Sequence, residues 1–229
     1  MIKLTLGLIL AITLAIWSLG RIGDSHSFQR NLAAPPVEIK HFTLGMANAM
    51  ADFFWIRLVQ DMDYCGGVNV TEINWEKIKK EKPKCSDGWV AKMFDLVTEL
   101  SPDFYLAYRV GITALPIIVG DKEGARKFIE KATRKYPNDW TIAYRSAYFY
   151  IYEIKDPIRA AELLKVAGEN GAPEWVLSLS ARLFDEGGQL ELGISVLEET
   201  IKTTKEESFR KELQKKLAVL QDKYKRLKK

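Results

Sequence analysis

Few residues in this chain could carry covalent or metal chemistry. The two histidines, His26 and His41, lie fifteen residues apart with no carboxylate or cysteine at ligand spacing. No glycine-rich phosphate loop follows a strand pattern, because no convincing strand pattern exists. Asp52 sits in an apolar stretch beside Trp55 and reads as a structural carboxylate. The remaining acids are scattered over helical surfaces, so neither an enzyme, a metal site nor a cofactor is expected. The cysteines are more telling. Cys65 and Cys85 bracket a polar stretch containing Gly66, Gly67 and Pro83. A disulfide there would remove about 3 kcal/mol of unfolded-state entropy and would place the domain in an oxidising compartment. Two unrelated free thiols are the alternative. A zinc site would need two further ligands that this neighbourhood lacks.

The elements that must hold any site begin with an apolar segment. The chain has 229 residues, with 34 basic against 30 acidic side chains and 47% hydrophobic residues, which is globular composition. Residues 4–20 carry no charge and would make a helix of about 25 Å, the short end of a bilayer span. The expected reading is an uncleaved signal anchor over 1–20, with Trp17 at the interface. A cleaved signal peptide, with Ser18 and Gly20 before Arg21, stands beside it. Residues 21–42 contain Gly23, Asp24, Ser25, Ser27, Pro35 and Pro36 without sustained periodicity and read as a linker.

An internal repeat governs the rest. Pro102-Asp103-Phe104-Tyr105-Leu106-Ala107-Tyr108-Arg109 is echoed 36 residues later by Asn138-Asp139-Trp140-Thr141-Ile142-Ala143-Tyr144-Arg145. Pro173-Glu174-Trp175-Val176-Leu177-Ser178 is a weaker third copy. Ala125, Ile129 and Ala132 correspond to Ala160, Leu164 and Ala167, and more loosely to Gly193, Leu197 and Thr200. This small–large–small spacing marks one helix face that lets a neighbour approach closely. Gly120-Asp121, Lys155-Asp156-Pro157 and Glu186-Gly187-Gly188 read as turns between the halves. Each unit is therefore helix–turn–helix, and Pro116 is expected to bend or end its helix.

The pattern resembles tetratricopeptide repeats, whose unit of about 34 residues carries Ala, a large apolar residue, Ala and then Pro in its second helix. Ala125, Ile129, Ala132 and Pro137 meet that spacing; Ala160, Leu164, Ala167 and Pro173 meet it with the proline one residue late. The string Ala51-Asp52-Phe53-Phe54-Trp55-Ile56-Arg57 also resembles a stretch of membrane-anchored bacterial repeat proteins. The resemblance implies an all-α chain: a transmembrane helix, then over 43–204 a tetratricopeptide-like α-solenoid of three to four helix pairs, with 65–85 as an insertion. The earliest pair would be Phe42 to Tyr64 with Trp89 to Leu100. Residues 205–229 would form a basic capping helix, entered by a capping box of Thr204 and Glu207 and striped by Phe209, Leu213, Leu217, Leu220, Tyr224 and Leu227. From Lys202 to Lys229 there are 11 basic and 4 acidic residues, which admits contact with anionic lipid.

By the same resemblance, Arg109, Arg145, Phe149, Tyr152 and Arg182 would line a concave groove that takes a peptide or helix of a protein partner. The expected function is a membrane-anchored adaptor or scaffold in an envelope assembly such as pilus, secretion or transporter machinery. It would sit in a bacterial inner membrane with its soluble domain in the periplasm and would bind no nucleic acid. The alternative is a structural subunit that contacts its partners through the membrane helix and the outer helix faces.

Overall fold

The computed structural model describes residues 13, 32, 34–66 and 88–228. The chain divides into two units, Met1–Ala33 and Ala34–Lys229. In the first, Thr13 is helical, and the rest of the apolar segment 4–20 lies outside the described residues. So do Cys85 and nearly all of the 65–85 insertion. Among the described residues no helix is long and apolar enough to cross a membrane.

The second unit is all-helical among its described residues. A short 3-10 turn, Val37–Phe42, occupies the end of the stretch read as linker. Beyond it come α1 (Ala47–Gly66), α2 (Trp89–Leu100), α3 (Tyr105–Ala114), α4 (Lys122–Lys135), α5 (Trp140–Phe149), α6 (Pro157–Glu169), α7 (Trp175–Glu186), α8 (Leu190–Thr203) and α9 (Glu207–Leu227). The helix expected from Phe42 starts later, at Ala47. Leu44 (φ 49°) and Gly45 (φ 83°) are left-handed, a conformation no α-helix can contain.

Packing runs in chain order. The first two helices pack together, and from α5 onward each helix packs against the next. Helix α3 lies directly against α5, and α2 against α4, so alternate helices form neighbouring rows. The small positions of the repeat are the contact points. Ala125, Ala132, Ala160 and Ala167 are fully buried, with Ile129 and Leu164 between them. In the third copy Gly193 replaces alanine because a Cβ there would lie 2.7 Å from the carbonyl oxygen of Ala181, a backbone atom of α7. Gly193→Ala is expected to force α7 and α8 apart and to lower stability by about 1–3 kcal/mol despite alanine's better helix propensity. Urea unfolding should show this as a lower midpoint with unchanged slope.

Ion pairs tie the first elements to the repeats. Lys131 of α4 reaches Asp95 (2.5 Å) and Glu99 (2.7 Å) of α2, and Lys40 of the 3-10 turn reaches Glu99 at 2.8 Å. Hydrogen bonds from Lys131 and Lys40 hold the Glu99 carboxyl at about 2, below its usual 4.5. A folded-state value below the unfolded one makes this contribution complete above about pH 4.5 and lost as pH falls toward 2. Allowing for the screening of a carboxylate one-third exposed, it is on the order of 1–2 kcal/mol. Lys131→Met should therefore cost most of that at pH 7 and little at pH 2, as read by thermal unfolding at the two pH values.

The final helix departs from expectation at its start. Thr204 closes α8: its N–H and hydroxyl both donate to the Thr200 carbonyl, at 2.9 and 2.7 Å. With its hydroxyl engaged there, Thr204 does not cap α9, whose N-cap is Glu206 with no side-chain hydrogen bond. The stripe on α9 is only partly covered: Leu213 is buried, Phe209, Leu217, Leu220 and Tyr224 are half-buried, and Leu227 is exposed.

Candidate functional site

A concavity lies where α3 and α5 run side by side, and the local sequence explains both helices. Asp139 is the N-cap of α5, accepting from the N–H groups of Thr141 and Ile142, each at 2.9 Å. The hydroxyl of Tyr105, at the start of α3, donates to the other Asp139 oxygen at 2.8 Å and lies 2.6 Å from the Thr141 hydroxyl. Burial alone would raise the Asp139 pKa, but the hydrogen bonds from Thr141, Ile142 and Tyr105 outweigh it and hold the group below its usual value. The two helix starts, one repeat apart, are thereby pinned together.

Both helices end alike. Each widens into one π-helical turn, Leu115–Val119 after α3 and Tyr150–Ile154 after α5. Each turn closes on a left-handed residue, Gly120 (φ 75°) and Lys155 (φ 60°). The next residues, Asp121 and Asp156, donate their N–H groups back to Leu115 and Tyr150 at 3.0 and 2.9 Å. As expected, the regular helix ends just ahead of Pro116, at Ala114, and the proline sits at the start of the wider turn, which does not require its missing N–H. A π turn inserts about one residue into the helical period and so rotates the side chains beyond it. Ile117 and Tyr152, equivalent positions in the two copies, both line the cleft.

The cleft holds about 440 Å³. Its α5 wall is an aromatic ladder: Tyr144, Tyr148 and Tyr152 stand one turn apart, with ring centroids at 5.4 and 5.2 Å. Trp175 of α7 meets Tyr144 edge-on at 5.9 Å. Tyr148 is 44% and Tyr152 62% exposed, with Trp140 and Ile117 also exposed. Burial, then the hydrogen bond and proximity of Tyr148 and Tyr152, push the Tyr144 phenol up to about 12, so it stays neutral at physiological pH.

Two arginines cross this apolar wall. The Nε of Arg109 is buried without a hydrogen-bond partner, and its guanidinium carbon lies 5.7 Å from the Tyr105 ring centre. Arg145 donates to the Thr113 hydroxyl at 3.3 Å. Neither guanidinium has an ion-pair partner among the described residues. Glu153, at the cleft edge, is already matched by Lys122 at 3.1 Å.

Of the residues singled out from sequence, Arg109, Arg145, Phe149 and Tyr152 come together in this cleft. Phe149, only 3% exposed, is part of its floor. Arg182 lies elsewhere, in a concavity of about 580 Å³ between α7 and α9, and pairs with Glu186 at 3.3 Å. Sequence reading missed Trp140, Tyr144, Tyr148 and Ile117; the spacing of four between Tyr144, Tyr148 and Tyr152 was the available signal. Cys65 is fully buried at the end of α1, and no cysteine among the described residues is free. No group of His, Cys, Asp or Glu among the described residues could hold a metal ion. Compared with known proteins, the chain matches no family model, no curated protein and no solved structure. What the cleft can do chemically is bind, through rigid apolar area and two unmatched cationic forks.

Proposed function

We propose that this protein is a membrane-anchored, non-enzymatic adaptor whose α3–α5 cleft holds a segment of a protein partner. The observation that carries this reading is the cleft itself: exposed aromatic rings around two half-buried arginines with no acidic partner among the described residues. Monomeric surfaces rarely leave such patches uncovered, and tyrosine, tryptophan and arginine dominate binding energy at interfaces. On this reading the ordered helix pairs are a tetratricopeptide-like α-solenoid, with α9 as its cap. Residues 4–20 anchor the chain in a bacterial inner membrane, and a Cys65–Cys85 disulfide stabilises a periplasmic domain within an envelope assembly.

On this reading α9 is the cap, and its basic excess is tied to the repeats at two points. Arg210, Lys216 and Arg226 pair with Glu207, Glu212 and Asp222 on the same helix, and Lys223 pairs with Asp185 of α7. The acids of α9 are already counted in its basic excess, which only Lys223–Asp185 and Lys228–Glu191 offset; Lys215 and Lys225 have no ion pair among the described residues.

A second reading, a structural subunit held by its outer faces, draws on α1. Met46, Phe53 and Ile56 are exposed, whereas Ala51, Phe54 and Leu58 of the same stretch are buried. Capture by full-length protein carrying Phe53→Ser and Ile56→Ser, both on the exposed face of α1, separates the two. The adaptor reading expects the variant to retain the partner of the wild type; loss of the partner favours the structural subunit.

A further inference from the structure

The charge of the cleft says what kind of segment it takes. Among the described residues its lining carries Arg109 and Arg145 without ion-pair partners, and the single carboxylate in that lining, Glu153, is neutralised by Lys122. Burying a guanidinium group under a partner without an acceptor costs several kcal/mol, on the order of the stabilisation a well-packed aromatic anchor contributes. A neutral or basic segment covering this cleft would incur that cost at two positions. A carboxylate placed between them would instead gain charge-assisted, two-pronged hydrogen bonds. The Arg109 Nε is buried with no acceptor in the protein, so nothing on that side of the guanidinium offsets its charge, and the acceptor must come to its cleft-facing side.

We infer that the occupant of the α3–α5 cleft is an acidic, aromatic or aliphatic peptide segment of the partner, with an Asp or Glu side chain on Arg109 and Arg145 and apolar side chains against Tyr148 and Tyr152. This rests on the groove reading and names its ligand chemistry. An anionic membrane surface has the same charge but the wrong shape. The guanidinium groups are half-buried in a concavity walled by the tyrosine ladder, where a protruding side chain reaches and a planar array of headgroups does not. The volume, about 440 Å³, admits a few side chains and not a folded domain.

The test pans full-length protein in mild detergent against a displayed library of random linear dodecapeptides. Selected peptides are then measured on wild type, on Arg109→Gln/Arg145→Gln and on Tyr148→Ala/Tyr152→Ala. The inference expects selected peptides to carry Asp or Glu beside Phe, Trp, Leu or Ile. Exchange of the acid for its amide should weaken binding about tenfold on wild type and hardly at all on the arginine variant. The tyrosine variant should weaken acid and amide forms alike. Neutral or basic peptides that survive the arginine variant but fail on the tyrosine variant would overturn the acidic ligand and leave the groove standing. Peptides that bind both variants as wild type does, or no enrichment at all, would overturn both. Arginine-dependent binding to phosphatidylglycerol vesicles without peptide enrichment would overturn the peptide in favour of lipid.

Discussion

Replacing Arg145 by Glu and Tyr152 by Ala in one chain should abolish capture of the partner and leave the fold intact. Tyr152 is 62% exposed, so its truncation leaves no cavity in the core. Arg145 has one hydrogen bond among the described residues, a long one to Thr113, so little is lost inside the protein. At an interface the same two changes are severe. Removal of an anchoring aromatic and of a charged fork costs about 2 kcal/mol or more each, together about a thousandfold in affinity. Reversal of charge adds repulsion against an acidic segment. The check is co-purification from detergent with the wild type alongside, with thermal unfolding of both. Unchanged capture by a folded double variant would remove the cleft from the binding surface.

The second large effect is on stability. Phe128 of α4 is buried where three helices meet: its ring lies 5.3 Å from Phe94 of α2 and is stacked at 5.8 Å on Tyr108 of α3. The packing against α3 is so close that a Cβ at Gly111 would lie 2.3 Å from the Phe128 ring. Phe128→Ala should cost about 3–5 kcal/mol, a large share of an ordinary domain's stability. For a unit of this size that lowers the unfolding midpoint by about 10 °C. Because Phe128 supports α3 from behind, Phe128→Ala should also weaken capture, whereas Arg145→Glu with Tyr152→Ala should affect capture alone. A midpoint within about a degree of wild type would show that α3 and α4 do not pack as described.

The helix pairs were legible because their signal is periodic. The echo of Phe104 to Arg109 in Trp140 to Arg145, and of Ala125 to Ala132 in Ala160 to Ala167, reports a repeated packing surface. Helix α2 was legible to its ends, Trp89 and Leu100, because Gly88 and Ser101-Pro102 flank it. What failed was set by backbone geometry that side-chain types do not announce. The left-handed pair Leu44 and Gly45 delays α1, and Thr204 uses its hydroxyl on α8 where its spacing to Glu207 suggested a cap for α9. The π turns were hidden as well: Pro116 signals the end of the regular helix at Ala114 but not the wider turn that follows it. That turn and its counterpart at Tyr150–Ile154 bring Ile117 and Tyr152 to one cleft. The family resemblance grouped Arg182 with Arg109 and Arg145, yet it lies one helix pair further along and finds Glu186 on its own helix.

The central claim is that the α3–α5 cleft touches the partner, and contact is measured most directly by photo-crosslinking in cells. A benzophenone amino acid in place of Tyr148, on the ladder, is compared with the same group in place of Lys127, exposed on α4 and away from the cleft. An adduct of defined mass from position 148, absent from position 127 and lost when Arg145→Glu is added, is the expected result. An adduct from position 127 with none from position 148 would contradict the claim.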